Sequence, residues 1–252
     1  MNRITKIAPT IASLLSIPSF TEETAIEKIS ALGKHRRVLM YNPDAVAWWV
    51  FEKYKELFEP ILGDACEVFR MQSVMPSVTP VCFASIYSGL MPCDHGIQAY
   101  VKPVLTCRTI FDAAIEAGLK CAICSTGTDS ISMIFCERNM DYFIVDTPDE
   151  ANEQAKKIIA EDRHDLIVVY NGNYDGTMHR WGPEADESID ALRHNIAAYR
   201  SLLDCAKASW GSDWAAAFAT DHGCHEIDGG CGSHGLDMSE DMEVVHIWHT
   251  GK

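Results

Sequence analysis

Short apolar runs alternate with longer amphipathic stretches from Arg37 onward, and this alternation constrains the fold more than any other feature of the sequence. It is typical of a sheet that is covered by helices on both faces. The pattern predicts strands at Val38 to Tyr41, Lys120 to Ser125, Tyr142 to Val145, Leu166 to Tyr170, Trp214 to Thr220 and Val244 to Trp248. It predicts helices at Ala45 to Phe58, Val81 to Ser88, Thr109 to Ala117, Glu150 to Ala160 and Ser188 to Ser209. We therefore expect an α/β fold, a three-layer sandwich with a mostly parallel central sheet.

Length and charge limit the domain count and the partners. A chain of 252 residues with 47% hydrophobic residues can bury a sizeable core, and we expect one domain over residues 1–252. The net charge of −15 argues against binding nucleic acid, which relies on clustered Lys and Arg. A negative protein also repels anionic substrates, so phosphate chemistry here would need a metal ion or a helix N-terminus.

The N-terminal segment and the cysteines bear on the cellular location. Residues Ile4 to Ile17 carry apolar residues at helical spacing, but Thr5, Lys6, Thr10 and Ser13 interrupt them, so we expect an amphipathic surface helix. The segment lacks a basic region followed by a long apolar run. Ten cysteines do not require disulfides in a chain of this size. No apolar run approaches the ~20 residues needed to span a bilayer. We therefore expect a cytoplasmic protein without membrane contact.

Polar residues that could carry chemistry follow three of the predicted strands. Ligands in open α/β sheets bind beyond the carboxyl ends of the strands. Asp44 follows the first strand, Asp175 and His179 follow the strand that ends at Tyr170, and Asp221 with His222 follows Thr220. Asp oxygens and His nitrogens are ligands for zinc and would also serve manganese or iron. These residues could share one metal site.

Thr79 comes directly before Pro80 and an apolar helical stretch. Threonine at the N-cap with proline at the first helical position is a strong signal for a helix start. The terminus would present free backbone N–H groups and partial positive charge to a phosphate oxygen. The Thr79 hydroxyl becomes a nucleophile if a bound metal stabilises its alkoxide.

The tripeptide Asp-His-Gly occurs twice. The copy at Asp221 closes an apolar strand, where ligands are expected, whereas the copy at Asp94 and His95 follows a helix end and Pro92. We therefore assign Asp221 and His222 to the site and give Asp94 and His95 a structural role.

Four segments carry a resemblance to a known family: TPVCFASIYSGLMPCDHGI, YDGTMHRWGP, TDHGCHE and GSHGLDMSEDM. In order and rough spacing they resemble the alkaline phosphatase superfamily, specifically its type I phosphodiesterase and nucleotide pyrophosphatase branch, from about Val38 to the C-terminus. The resemblance implies an alkaline phosphatase-like fold and two divalent metal ions, zinc in the first place and manganese as the alternative.

The resemblance also implies roles for individual residues. Asp44, Thr79, Asp221 and His222 would surround one metal ion, and Asp175, His179 and His234 would bind the other. Thr79 would displace the leaving group of a small-molecule phosphate ester to give a phosphothreonine, which water then hydrolyses. The implied activity is hydrolysis of phosphodiester or nucleotide pyrophosphate bonds.

The chain departs from the pattern of this branch at two positions. Cys82 and Tyr100 stand where the branch usually has asparagine, and the second asparagine commonly contacts a phosphate oxygen. A phenol can donate the same hydrogen bond from farther away. The chain also has no room for the large cap insertion that usually selects the substrate. Phosphonate or phosphomonoester hydrolysis at the same site therefore stays open, as does a non-catalytic metal- or ligand-binding role.

Some of these residues also have structural interpretations. Asp44 could cap a helix that begins at Ala45, and Asp175 with His179 could lie in a solvated loop. Cys121 and Cys124 fall at an odd offset in a predicted strand, so they should point to opposite faces and pack in the core. The sequence does not indicate an oligomeric state.

Overall fold

The structure is a computed structural model that describes residues 1–63 and 66–251. Its strands are β1 (Asn2–Arg3), β2 (Arg37–Pro43), β3 (Cys66–Gln72), β4 (Cys121–Thr126), β5 (Asp141–Val145), β6 (Leu166–Asn171), β7 (Trp214–Ala219), β8 (His225–Ile227), β9 (Cys231–Ser233) and β10 (Glu243–Thr250). Its α-helices are α1 (Ile7–Leu14), α2 (Glu27–Ser30), α3 (Trp48–Lys53), α4 (Thr79–Ser88), α5 (Pro92–His95), α6 (Ile110–Glu116), α7 (Ser130–Ile134), α8 (Pro148–Glu161), α9 (Asn173–Trp181), α10 (Asp186–Trp210) and α11 (Ser239–Met242). In the described ranges, 3₁₀ helices span Ile4–Lys6 and Lys55–Ile61.

Within the described ranges, the central sheet has eight strands in the order β1-β3-β10-β7-β2-β6-β4-β5. Strand β10 runs antiparallel to its neighbours β3 and β7, and the other pairings in the sheet are parallel. Consequently β2, β3, β4, β6 and β7 all end at the same edge of the sheet. The prediction of a mostly parallel central sheet is confirmed.

Apolar side chains fill the space on both faces of the sheet. In β2, Val38 and Met40 join the core cluster that contains residues of α1, α4 and α6, whereas Leu39 and Tyr41 join the cluster that contains residues of α8 and α10. Every residue of β2 is buried, as expected for a central parallel strand with helices on both faces. The three-layer sandwich is confirmed.

Two predicted helices differ from the structure. The helix at the N-terminus is buried on nearly all sides, and Thr10 uses its hydroxyl to donate to Lys6 O and to accept from the Ile26 N–H, so the predicted surface helix is wrong. The helix predicted from Ala45 to Phe58 begins only at Trp48 and gives way to the 3₁₀ helix after Lys53. At the start of this second stretch, Ala45 has a left-handed φ of 66°, which is incompatible with a helix that begins there.

Several elements were not predicted. Strand β3 and helix α9 were missed, and the Gly-rich stretch after Gly223 contains the β8–β9 hairpin as well as loop. Cys121 and Cys124 lie in the core clusters of opposite sheet faces, as predicted. Among the described residues, no helix combines the length and apolar character required to cross a membrane.

Candidate metal-dependent active site

Three aspartates meet at the edge of the sheet where β2, β6 and β7 end. Asp44 follows β2, Asp175 lies in the first turn of α9 after β6, and Asp221 follows β7. Because β2 pairs with both β6 and β7 in parallel, the three strand ends lie side by side. The structure thus brings together the carboxylates that the sequence places after separate strands.

A tight turn positions Asp44. Ala45 adopts a left-handed φ of 66°, which is uncommon for a residue with a Cβ. Its N–H donates to Asp221 Oδ1 at 3.4 Å, and the next N–H, of Val46, donates to Thr220 Oγ1 at 3.0 Å. Since the following helix begins only at Trp48, the alternative in which Asp44 caps a helix from Ala45 is wrong. The turn instead ties the end of β2 to the end of β7.

Helix α9 carries both Asp175 and His179. Residues four apart lie on the same face of a helix, and His179 Nε2 is 3.3 Å from Asp175 Oδ1. The alternative that placed these residues in a solvated loop is wrong, although the His179 side chain is 43% exposed. The four-residue spacing was the available signal for this helix. The helix was not predicted because the segment contains three poor helix formers, Asn173, Gly176 and Thr177.

The three histidines are oriented by backbone carbonyls. Nδ1 of His179 lies 3.0 Å from Gly232 O, Nδ1 of His222 lies 3.0 Å from Gly223 O, and Nδ1 of His234 lies 2.9 Å from Ser77 O. A carbonyl can only accept, so each Nδ1 carries a proton, and Nε2 is the ring nitrogen left to face a metal ion. This tautomer is the one that a metal ligand requires.

These side chains form two groups that could hold a metal ion. The ligand atoms of Asp44, Asp221 and His222 lie within 4.8 Å of one another, as do those of Asp175, His222 and His234. His179 Nε2 adds a further donor to the second group, 3.1 Å from His234 Nε2. The rings of His222 and His234 stack with centroids 3.9 Å apart, which joins the two groups into one centre.

The centre has unbalanced charge that a divalent cation would compensate. Among the described residues, Asp44 Oδ1 and Asp221 Oδ2 are buried carboxylate oxygens without a hydrogen-bond partner. Isolated buried carboxylates are strongly unfavourable unless they are protonated or paired with a cation. Oxygen and imidazole donors in this arrangement fit zinc or manganese.

The pKa values of the site reflect this crowding. Burial, followed by the charge of Asp175, raises the pKa of Asp44 to about 6. Burial and the charge of Asp44 raise the pKa of Asp221 well above its usual value. The hydrogen bond to Asp175 raises the pKa of His179 to about 9, whereas burial and the charge of His222 lower that of His234 to about 3. Neighbouring groups with such divergent pKa values are a feature of functional sites.

Thr79 lies at the centre of this arrangement. Its Oγ1 is 3.3 Å from Asp44 Oδ2 and 3.3 Å from His222 Nε2, and the residue is 3% exposed. The predicted N-cap role is wrong, because Val78 is the N-cap of α4 and Thr79 is its first residue. This shift leaves the hydroxyl free to contact the site, while the positive end of the helix dipole still faces it.

The two departures from the branch pattern have different surroundings. Cys82 is buried, with its Sγ 3.2 Å from Ser73 Oγ, and Ser73 in turn donates to the Asp221 carbonyl at 2.6 Å. Tyr100 is 60% exposed, yet burial and then the charges of Asp44 and Asp175 raise its pKa. Cys82 therefore supports the Asp221 loop from the core side, whereas the Tyr100 side chain is largely open to solvent.

The second Asp-His-Gly copy lies outside the centre. His95 is buried on α5, with Nε2 3.0 Å from Ser85 Oγ and Nδ1 accepting from the Ile97 N–H at 3.2 Å. Both ring nitrogens are thus engaged in local contacts that hold the turn after α5. The structural role predicted for this copy agrees with these contacts.

Comparison with known proteins identifies similar folds. No protein-family model and no curated protein matches the chain. Among solved structures, murine ectonucleotide pyrophosphatase/phosphodiesterase 5 matches with a TM-score of 0.61 and 17% identity over 77% of this chain and 58% of that chain. An inactive threonine-to-alanine variant of the same murine protein, in complex with AMP, matches with a TM-score of 0.60 and 15% identity over 77% and 59% of the two chains.

This likeness confirms the fold that the sequence resemblance implies. At 15 to 17% identity it shows the fold alone. The chain covers only 58% of the length of the murine protein. Activity and substrate must therefore be argued from the site.

Proposed function

We propose that this chain hydrolyses phosphodiester or nucleotide pyrophosphate bonds with Thr79 as the nucleophile and two divalent metal ions as cofactors. The observation that carries the proposal is the position of the Thr79 hydroxyl, 3.3 Å from both Asp44 Oδ2 and His222 Nε2 and beside unpaired carboxylate oxygens. A hydroxyl held in such surroundings is placed for activation rather than for packing. We propose residues 1–252 as a single alkaline phosphatase-like domain without a large cap insertion.

The proposed ligands divide into two sets. Asp44, Thr79, Asp221 and His222 would hold one ion, and Asp175, His179 and His234 the other. His222 Nε2 lies 3.3 Å from Asp44 Oδ1 and 3.4 Å from Asp221 Oδ2, which supports the first set. His234 Nε2 lies 3.5 Å from Asp175 Oδ1, which supports the second. Zinc is the proposed metal, since imidazole and carboxylate donors dominate.

The residues of the chain have distinct tasks in the proposed reaction. Thr79 Oγ1 forms a bond to phosphorus as the bond to the leaving oxygen breaks, and its proton faces two acceptors at 3.3 Å. The N-terminus of α4 places partial positive charge where phosphate oxygens would lie. Bound divalent ions supply Lewis-acid stabilisation of the negative charge on the attacking and leaving oxygens. Water then cleaves the phosphothreonine and restores the hydroxyl.

The murine comparison supports the choice of nucleophile. In that protein, replacement of a threonine by alanine gives a form described as inactive, and that form binds AMP. Thr79 of this chain, which contacts Asp44 and His222, is consistent with the same chemistry. AMP is a nucleotide, so we propose nucleotides as the substrate class.

The experiment that tests this proposal combines metal content with turnover. Wild type, Thr79→Ala and the control Thr106→Ala, at an exposed threonine, would be analysed by mass spectrometry for bound metal and assayed with bis-p-nitrophenyl phosphate. We expect about two metals in each protein and a loss of kcat of at least about a thousandfold in Thr79→Ala alone. Turnover in Thr79→Ala at the level of the control would exclude Thr79 as the nucleophile.

The same assay separates the alternative activities. A phosphomonoesterase would turn over p-nitrophenyl phosphate faster than the bis-substituted ester, and the proposed diesterase would show the reverse. Metal binding without turnover of either ester in any variant would favour a non-catalytic role.

A further inference from the structure

Asp241 is a buried carboxylate at which three segments of the chain meet. It lies in α11, and its side chain is fully buried. Its Oδ1 lies 2.7 Å from His225 Nδ1, and its Oδ2 accepts from the Leu236 N–H at 2.8 Å. Its backbone carbonyl accepts from the Gly223 N–H at 2.8 Å. A carboxylate can remain buried when such donors satisfy it, so these contacts hold the three segments together.

The carboxylate of Asp241 holds both sides of the β8–β9 hairpin at its open end. His225 is the first residue of β8 and pairs with Ser233, the last residue of β9. Leu236 follows three residues after that pair, on the chain that leaves the hairpin. One carboxylate oxygen therefore contacts the strand that enters the hairpin, and the other contacts the segment that leaves it. The open end cannot move away from α11 without breaking these hydrogen bonds.

The hairpin in turn positions the second ligand set, which consists of Asp175, His179 and His234. Gly232 lies in β9, and its carbonyl is the acceptor 3.0 Å from His179 Nδ1. His234 directly follows β9, and its Nε2 lies 3.1 Å from His179 Nε2 and 3.5 Å from Asp175 Oδ1. A displaced hairpin would therefore move His234 and the acceptor of His179 at the same time.

The third contact of Asp241 leads to the first ligand set. Gly223 donates its N–H to the Asp241 carbonyl, and its own carbonyl is the acceptor 3.0 Å from His222 Nδ1. This contact uses only the backbone of Asp241, so it remains possible with any side chain at that position. The side chain of Asp241 thus contacts the segments around the second set, whereas its backbone contacts the segment that carries His222.

We propose that Asp241 is a positioning residue, which fixes the second ligand set relative to the first by holding the open end of the hairpin. This inference rests on the proposed function and adds to it a residue that supports the metal centre without binding a metal ion. A carboxylate suits this task, because hydrogen bonds to an ionised acceptor are stronger than those to a neutral one. A residue that only stabilised the fold would lower the melting temperature without changing the zinc affinity of the folded protein.

Stepwise zinc affinities, measured by chelator competition, test the inference. His234→Ala removes a proposed ligand and so identifies the binding step of the second set. We expect Asp241→Ala to weaken that step by about tenfold to a hundredfold, the usual range when a residue that orients metal ligands is lost. The other step should stay close to its wild-type value, because the backbone contact with Gly223 remains.

Two milder variants separate the contacts of the carboxylate and serve if Asp241→Ala does not fold. Asp241→Asn keeps an oxygen acceptor for the Leu236 N–H, and its amide can donate to His225 in the other tautomer, so it should lose less zinc affinity than Asp241→Ala. His225→Ala removes one of the two side-chain contacts, and we expect the same step to weaken by about threefold to tenfold. The control Asp237→Ala removes an exposed carboxylate from the same segment and should leave both steps unchanged.

Thermal melts in excess EDTA would report the stability of the metal-free variants, independently of zinc binding. Unchanged zinc affinities in Asp241→Asn and His225→Ala, with lower melting temperatures in EDTA, would assign Asp241 to fold stability alone and overturn the inference. Equal weakening of both binding steps, or weakening in Asp237→Ala, would overturn it as well. Failure of the proposed function gives a different result. Wild type that binds two zinc ions without hydrolysing any phosphate ester would refute the hydrolase and leave the role of Asp241 to these affinities, whereas wild type that binds no zinc would refute both.

Discussion

Replacing Tyr170 by phenylalanine should weaken metal binding without unfolding the protein. Tyr170 is buried at the end of β6, and its hydroxyl donates a hydrogen bond to Asp44 Oδ2. The substitution removes only the hydroxyl, so the ring keeps its edge-to-face contact with Phe83. Asp44 Oδ2 would then retain one donor, the Thr79 hydroxyl, and Asp44 Oδ1 still has none among the described residues.

The magnitude follows from the charge of the acceptor. A hydrogen bond to a charged group contributes about 1.5 to 3 kcal/mol. The bond also lowers the pKa of Asp44, which stands at about 6, so its removal lets a proton compete more strongly with a metal ion. Both effects lower the affinity for zinc. At about 1.4 kcal/mol per factor of ten, zinc affinity should fall about tenfold to a hundredfold, the usual range for partners of metal ligands.

Chelator competition would measure the zinc affinity, and thermal melts with zinc or with excess EDTA would separate binding from folding. The control is Tyr199→Phe, which removes a phenol hydroxyl from a buried contact with His249 Nδ1 at 3.0 Å, away from the candidate ligands. We expect similar melts in EDTA but a smaller zinc-induced stabilisation for Tyr170→Phe, because stabilisation follows ligand affinity. Zinc affinity within twofold of wild type, or an equal loss in the control, would refute the reasoning.

Two further predictions concern protons and backbone contacts. The pKa of Asp44 is raised to about 6, so the protonated carboxyl dominates below pH 6 and the carboxylate dominates above it. Because a proton and a zinc ion compete for this carboxylate, zinc affinity should be at least about tenfold lower at pH 5 than at pH 7.5. A zinc affinity that does not change with pH in chelator competition would contradict this prediction. In Gly232→Ala, the new Cβ would lie 2.7 Å from Met178 O, so the hairpin must move and carry the Gly232 carbonyl away from His179 Nδ1. We expect zinc stoichiometry measured by mass spectrometry to fall from about two towards one. The control Gly176→Ala meets open space on a helix and should instead raise stability by roughly 0.5 to 1 kcal/mol; equal stoichiometry in both variants would count against the contact.

The central strands could be predicted because burial on both faces gives them continuous apolar runs, as in β6 and β7, all of whose residues are buried. Strand β3 could not, because it lies between the two-residue β1 and the antiparallel β10, and most of its residues are only partly buried. Glu67 and Arg70 interrupt its apolar pattern. The buried N-terminal helix was misjudged for a related reason. Its polar groups are satisfied inside the protein, as when Thr5 Oγ1 donates to Glu23 at 2.8 Å, and no local pattern reports that.

The candidate site could also be predicted only in part. Asp44, Asp175 and Asp221 could be predicted from their places after strands, since parallel strands bring their carboxyl ends together. His234 could not, because it follows a hairpin rather than a strand of the main sheet, and only the family resemblance indicated it. The place of Thr79 inside α4 depends on Val78 as the N-cap, a shift of one residue that lies within the usual error of predicted helix ends.

The backbone acceptors of the three histidines have a consequence for mutational tolerance. The carbonyls that fix the imidazole tautomers belong to Gly223, Gly232 and Ser77, and every residue type offers the same carbonyl. Replacing the Ser77 side chain therefore removes no acceptor, whereas a Cβ on Gly223 would lie 2.0 Å from Glu240 O and would force the chain to move. The backbone conformation of these loops therefore determines which ring nitrogen of each histidine faces a carbonyl acceptor. In a saturation mutagenesis screen of these three positions, we expect metal binding to depend on the volume of the new side chain and not on its polarity.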